Sequence, residues 1–391
     1  MKTLIKNAKV LDARIDGQVL DVLISVQTIE AVAPELEAKD AAVLDFTGKT
    51  LMPAFIDSHV HVVSHNIPQE DMIRAFALNG VAAVRDMGIL GNMDLEPYIR
   101  WLDAHRTSAY TQVVTAGRYI DVEGGYGMGP DPSMAWGLKI ATPEEGVDMV
   151  RYEFSAGTDG LKLGLQDGFL GPVAGKMSPE MIRVMIREAE SHDMWTTAHI
   201  GRVSDLQTIV DCGIGSAAHT PQDGIMDDRL IGSMVEKDIS MTTTVGDPEG
   251  HVASMPFVPP MFKDRSEYLD WKLKGRDTVL ENLRRFHEAG GTILVGTDLM
   301  HLTDARKDAA IPTRELRYLR SIGMTAREVI AAGTVNNAAA CGISYLGLVK
   351  PGMRACLLGF EGDLDEGFVK LERPPFVMNQ GAVLINELAA E

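Results

Sequence analysis

Between Phe55 and Thr297 the chain alternates, eight times, between short apolar runs and longer stretches of helical periodicity. The strand-like runs are Phe55 to Val62, Val81 to Met87, Gln112 to Ala116, Gly160 to Leu165, Met194 to Ile200, Gly215 to His219, Ile239 to Val245 and Thr292 to Thr297. Helix starts are written between and after them. Thr142-Pro143-Glu144-Glu145 offers a cap, a proline suited to the first helical position and a glutamate for a capping box. Ser178-Pro179-Glu180 and Thr325-Ala326-Arg327-Glu328 open two more helices. Eight strands alternating with helices over roughly 280 residues is the size and rhythm of a (β/α)8 barrel. A doubly wound open sheet competes, but it usually carries a Gly-rich turn after its first strand, and none stands here. Residues 53–340 are therefore assigned to a TIM-like barrel of mixed α/β class.

The two ends follow another pattern. Leu4-Ile5, Val10-Leu11, Val19 to Val26 and Ile29 to Val32 read as short strands punctuated by Asp16-Gly17 and Gly48-Lys49. Arg354 to Phe360, Phe368 to Leu371 and Val377 to Ile385 are strand-like as well. Residues 1–52 and 341–391 are expected to build one small β-sandwich domain together. Two connections are long: Gly117 to Ala141, with Gly124-Gly125-Tyr126-Gly127, and Gly246 to about Lys274, with His251. Both follow strands, which puts them on the face where barrels carry chemistry.

Charge excludes some partners. A net charge of −18 argues against nucleic acid, which needs clustered cations, and against an anionic membrane surface. No run approaches a membrane span and the N-terminus lacks a signal-peptide pattern. Three widely spaced cysteines, Cys212, Cys341 and Cys356, indicate buried thiols, not a disulfide framework. A cytoplasmic homo-oligomer acting on a small molecule is the expectation.

In a barrel, the C-terminal ends of separate strands meet around one mouth. The first strand ends in His59 and His61, which point the same way because strand side chains alternate. The fifth ends in His199, the sixth in His219 and the eighth in Asp298, while Lys162 sits among apolar residues in the fourth. Singly, each has an ordinary structural explanation. Four histidines and an aspartate at strand ends are hard to assign to packing, and imidazole and carboxylate are common ligands of transition metals. Lys162 leaves three options: a protonated ammonium, which a dication would repel; a neutral amine forming a Schiff base; or a carbamate formed with CO2, anionic and able to bridge two metals.

The pattern resembles the amidohydrolase superfamily, specifically its binuclear branch with a carboxylated lysine, and within it the imidazolonepropionase-related and prolidase-like members. The resemblance covers nearly the whole chain. Its motifs are Pro53-x-x-Ile56-Asp57-Ser58-His59-Val60-His61, Val84-Arg85-Asp86-Met87-Gly88, Leu161-Lys162-Leu163, Ala198-His199, Ala218-His219, Gly296-Thr297-Asp298 and Lys350-Pro351-Gly352. Ala54, Tyr126, Ala218 and Cys356 depart from the family's usual residues, none at a ligand position.

The resemblance implies two divalent metal ions, with zinc the default and manganese, cobalt or iron as alternatives. His59, His61 and Asp298 would hold one, His199 and His219 the other, and carboxylated Lys162 with a hydroxide would bridge them. Asp298 is the expected general acid/base in the hydrolysis of a C–N bond in an amide, cyclic amide, carbamate or N-acyl compound, dipeptides included. Tyr126, Tyr119, His251 and His301 are candidate substrate contacts, and Met128, Met134, Trp136, Phe257 and Met261 suggest an apolar or aromatic substrate. The same centre would also serve a lactonase, an esterase or a phosphotriesterase, and a Schiff-base aldolase is a further enzyme reading. A barrel kept as a non-catalytic scaffold is the reading outside enzymes.

Overall fold

A computed structural model of the chain describes residues 2–63, 68–89, 93–126, 137–166, 175–254, 258, 262–299, 304–365 and 367–388. Eight parallel strands, Phe55–Val60, Val81–Asp86, Gln112–Thr115, Gly160–Gly164, Trp195–His199, Ser216–Ala217, Ser240–Thr242 and Ile293–Leu294, follow one another in the order expected. The first three pair in one sheet and the last five in another. Two seams close the ring. At one, the Asp159 amide donates to Thr115 O at 2.9 Å and the Thr115 amide to the Asp159 carboxylate at 2.9 Å. At the other, the amides of Ser58, His61 and Asp298 reach Val295 O, Leu299 O and His59 O at 2.8 to 3.0 Å.

The chain is a TIM-like barrel because these strands are buried on both faces: all six residues of Phe55–Val60 and of Val81–Asp86 are inaccessible. Among the described helices, Pro179–Glu190 directs Met181, Ile182, Met185, Ile186 and Ala189 inward at helical spacing. Buried polar side chains lock the seam between the eighth and first strands. Asn337 donates to Ile56 O at 2.6 Å and Val295 O at 2.8 Å, and accepts from the Val295 amide at 3.1 Å.

The terminal segments pair in a separate sheet. Lys49–Pro53 runs antiparallel to Leu357–Glu361, so the two ends of the chain are joined through these strands. Ile5, Val22, Phe46, Leu357, Phe376 and Met378 form a second core there. Two sequence expectations need correction. Phe368 to Leu371 is a 3-10 turn, Val369–Leu371, because the Asp365 carboxylate accepts from the amides of Val369 and Lys370. Val377 to Ile385 is a hairpin of Phe376–Asn379 and Ala382–Asn386, broken where Gln380 and Gly381 both take positive φ.

The two long connections also contain regular structure. Tyr119–Val122 and Gly137–Ile140 pair in parallel within the first. The second contains the helix Pro248–Ser254 and the start of Arg265–Glu288, capped by the Asp264 carboxylate. That long helix is mostly polar, so its apolar stripe is weak in the sequence. At Thr142 the hydroxyl caps as expected, but Glu145 reaches the Ala141 amide at 2.7 Å instead of closing the box on Thr142. All three cysteines are buried free thiols, and no described helix is long and apolar enough to cross a membrane.

Glu153, on the helix Pro143–Ala156, anchors the turn after the third barrel strand by accepting from the Arg118 amide at 3.2 Å. Burial pushes its carboxyl up from 4.5 to about 8. Between those values the native carboxyl keeps a proton that the unfolded chain releases, so this residue's contribution to stability declines as pH rises from about 4.5 to about 8. Glu153→Gln is neutral throughout. Its stability relative to wild type, measured by urea denaturation, should therefore improve between pH 5 and pH 8; an unchanged difference would contradict the assignment.

Candidate metal centre

His59 and His61 project from the end of the first strand with ring centroids 5.6 Å apart. Each ring's tautomer follows from its Nδ1 partner. A carbonyl only accepts, so Nδ1 of His59 donates to Ala218 O at 2.9 Å and Nδ1 of His61 donates to Gly88 O at 2.9 Å. Both Nε2 atoms, as lone pairs, therefore face the same oxygen, Asp298 Oδ1, at 3.1 and 3.4 Å. His59 Nε2 makes no hydrogen bond of good geometry despite complete burial. The donor atoms of these three residues lie within 4.8 Å of one another.

Electrostatics keeps those lone pairs free. Burial lowers the His59 pKa to about 4, and burial also holds His199 and His219 well below the usual imidazole range. Partial burial opposes the charge on Asp298, yet the imidazoles around it, His59 first, hold its carboxyl well below the ordinary value. Neutral nitrogens and an anionic oxygen converging on one point form a cation site. Asp298 is also the member open to the mouth, with its side chain 31% exposed against 1% for His59.

The remaining strand-end residues stand alongside. The rings of His59 and His219 are 4.7 Å apart, and those of His219 and His199 are 4.5 Å apart. Nδ1 of His219 contacts Thr244 Oγ1 at 2.9 Å, leaving its Nε2 as the unused nitrogen. His199 contacts Gln166 Oε1 through Nε2 at 3.1 Å, which leaves Nδ1. Lys162 is buried opposite Thr197 of the neighbouring strand. Burial brings its pKa down from 10.5 to about 7; the Asp298 charge opposes that shift and the buried Arg85 guanidinium adds to it. Burial thus favours the neutral amine, the form that reacts with CO2.

The candidate substrate contacts divide. Tyr126 stacks on His199 at 3.9 Å between centroids, and its amide donates to Gln166 O. Tyr119 is buried with its ring 6.5 Å from His199. His251, on Pro248–Ser254, contacts the Tyr268 hydroxyl at 3.1 Å. His301 lies outside the described residues, as do Met128, Met134, Trp136, Phe257 and Met261.

Several residues that hold the centre in shape were not singled out in the sequence. The Asp57 carboxylate accepts from the His59 amide at 3.0 Å, the Thr297 amide at 3.1 Å and the Thr297 hydroxyl at 2.7 Å, fixing two strand ends together. Asp86 takes the Val62 amide and the Tyr98 and Thr115 hydroxyls. Arg85 crosses beneath, donating to Ser58 O at 2.8 Å and Ala340 O at 3.2 Å. Asp57, Arg85 and Asp86 stood inside quoted motifs, where buried charge among apolar neighbours was the available signal; Gln166 and Thr244 gave none.

Asp298 itself adopts a left-handed φ of 56°, a strained conformation for a non-glycine residue. Gly296 permits the approach: a Cβ there would sit 2.8 Å from His59 Cβ and 2.6 Å from Thr242 Cγ2. Gly296→Ala should displace His59 and destabilise the fold by about 1–3 kcal/mol, the usual effect of overpacking. Denaturation together with metal titration would check this, and wild-type values for both would refute the close-approach argument.

The family model described as "Amidohydrolase family" matches residues 50–384. A dihydroorotase of Thermoanaerobacter sp. (strain X514) is 31% identical over 74 residues, 19% of this chain and 17% of that relative. A dihydroorotase of Streptomyces coelicolor is 44% identical over 61 residues, 16% and 13% of the two chains. The matched stretches thus span under a fifth of either relative. Among solved structures, an amidohydrolase superposes with TM-score 0.83 at 24% identity over 100% of both chains. A prolidase complexed with N-methylphosphonate-L-proline gives 0.81 at 21%, covering 99% of this chain and 100% of that one. The A. niger ochratoxinase gives 0.79 at 19%, covering 98% and 96%. At these identities the structures speak for the fold, and the match over residues 50–384 speaks for the family: the chain belongs to the amidohydrolase family.

Proposed function

We propose that the protein is a metal-dependent hydrolase of a C–N bond in a small amide, cyclic amide, carbamate or N-acyl compound. The observation that carries the reading is the convergence of His59 Nε2, His61 Nε2 and Asp298 Oδ1, with both ring protons held on Nδ1 by backbone carbonyls. His59, His61 and Asp298, whose donor atoms converge, would hold one divalent cation, zinc by default, and His199 and His219 with a carboxylated Lys162 would supply ligands for a second. Cations held there would polarise the scissile carbonyl and lower the pKa of the attacking water.

The chain's own residues supply the rest. Asp298 Oδ1 faces the two imidazoles, so Oδ2 is the oxygen left to accept the proton from water and pass it to the leaving nitrogen. Burial raises the Tyr126 pKa, keeping the phenol protonated as a donor for a substrate oxygen, and the stack on His199 holds its ring at the mouth. Asp57 keeps the first and eighth strand ends in register, so that His59 and Asp298 stay aimed at each other.

Metal content and turnover test this together. Purified protein should carry up to two divalent ions per chain by elemental analysis, and His59→Ala or Lys162→Ala should lose metal and activity in parallel. Asp298→Asn should reduce turnover by about 10²–10⁴-fold, the range for a proton carrier, and more if a metal is lost as well. A panel of amides, lactones and phosphotriesters should show its highest kcat/KM on an amide. Metal-free folded protein, an active Asp298→Asn variant, or a preference for lactones or phosphotriesters would overturn the reading.

A further inference from the structure

A cavity lies at the barrel end opposite the candidate metal centre. Gln112 is the first residue of the strand Gln112–Thr115, and the Thr111 hydroxyl beside it donates to Val81 O at 2.8 Å, so this end belongs to the starts of the second and third barrel strands. The terminal segments cover it. Asn379 Nδ2 donates to Ser108 O at 3.0 Å and to Tyr110 O at 2.9 Å, and Gln27, Arg354 and Gln380 line the cavity from that side. The enclosed volume is about 210 Å³, below the roughly 300–1,000 Å³ of sites for larger ligands. Junctions between structural units are preferred places for small-molecule sites.

The charges around this cavity have one sign. Among the described residues it is lined by Arg354, Arg106 and His105 and by no carboxylate, in a chain of net charge −18. Two of the three bases are already engaged. Arg106 pairs with Asp103 at 3.0 Å, and His105 donates through Nδ1 to Trp101 O at 2.7 Å with Glu70 3.9 Å from its Nε2. Arg354 is half-buried, and among the described residues no carboxylate lies within ion-pairing distance of it. Its guanidinium lies over the Tyr345 ring, 4.4 Å from the centroid, and Nη1 donates to Gln112 Oε1 at 3.4 Å. Gln112 is fixed in turn by donating to the Tyr345 hydroxyl at 2.8 Å. A guanidinium carries five N–H donors in a rigid fork, so the ring holds that fork in one plane with most of its donors still to be used. The remaining walls include Ile73, Leu102 and Val113, apolar and buried.

We infer that this cavity is a second ligand site, which binds a small carboxylate with an apolar or aromatic body through Arg354. A carboxylate matches the planar fork as a bidentate partner. Inorganic phosphate would satisfy the fork but set its remaining charge against Ile73, Leu102 and Val113. A neutral alcohol would suit those walls and leave the guanidinium without a counter-charge. Only an acid with a short apolar body uses both parts of the lining. The site shares no residue with the candidate metal centre, so it stands or falls apart from the hydrolase reading.

4-Bromobenzoate and 4-bromobenzyl alcohol, alike in shape and different in charge, test this on the full-length protein. Calorimetry should give the acid a Kd of about 5 mM or tighter, at least about 10-fold below that of the alcohol and of inorganic phosphate. Arg354→Met should weaken the acid by about 10-fold or more and leave the alcohol within about 3-fold. Cations at the barrel mouth would also attract a carboxylate, so the position of the ligand matters. Crystals soaked in the acid should show a bromine anomalous peak beside Ile73, Leu102 and Val113, with the carboxylate on Arg354. A peak at the mouth alone, or a peak in crystals without binding in solution, overturns the inference. So do equal affinities for acid and alcohol, tighter binding of phosphate, or acid binding unchanged by Arg354→Met. The bromine position and the acid–alcohol comparison need no variant, and they decide the question if Arg354→Met fails to fold.

Discussion

Two imidazole nitrogens and a carboxylate oxygen, all presenting lone pairs to one point, repel one another unless a positive charge lies between them. The rest of the structure around the mouth can be understood as the means of holding them there. His59 and His61 cannot turn away, because their Nδ1 protons are committed to Ala218 O and Gly88 O. Asp298 cannot relax, because its amide is bonded to His59 O and its backbone is fixed in a left-handed conformation. The fold thereby holds local strain and electrostatic repulsion together at the position where a bound cation would offset the repulsion.

A closed parallel barrel suits this task. Strands of fixed direction put their C-terminal ends at one mouth, and alternation sends every second residue inward. His59 and His61 share a face for that reason, and Gly164 is in register with His199 across the fourth and fifth strands. The support beneath is polar as well as apolar. Asp57, Asp86, Arg85 and Asn337 each join two or more strands or loops from positions inaccessible to water. Charged groups are expensive to bury unless fully bonded, so their donors and acceptors dictate which loop goes where.

The barrel was legible because its signals are long and repeated: all eight strand positions can be found as apolar runs at regular spacing. His59, Lys162 and His199 were legible for the same reason, since alternation within a strand can be counted, whereas His61, His219 and Asp298 lie beyond the last strand residues Val60, Ala217 and Leu294. Contacts that depend on loop geometry were not. Thr244 sits beneath His219 at a positive φ, and Gln166 meets His199 just beyond a strand end, where no periodicity extends. The helix Arg265–Glu288 was hidden by its own polarity, and with it the contact of Tyr268 with His251. Asp365 converted an apolar stretch into a 3-10 turn through two hydrogen bonds that hydrophobic patterning does not register.

The family match gives the chain its chemistry in outline, and the stack of Tyr126 on His199 sets an aromatic ring beside the candidate metal centre. Strand ends one, four, five, six and eight are proposed to hold a pair of cations. Anomalous diffraction recorded at a zinc absorption edge from crystals of the metal-loaded protein addresses it directly. The account predicts two peaks about 3.5–4 Å apart, one against His59, His61 and Asp298, the other against His199 and His219, with extra density on Lys162 Nζ. A single peak, peaks away from these side chains, or an unmodified Lys162 amine turned from them would contradict it.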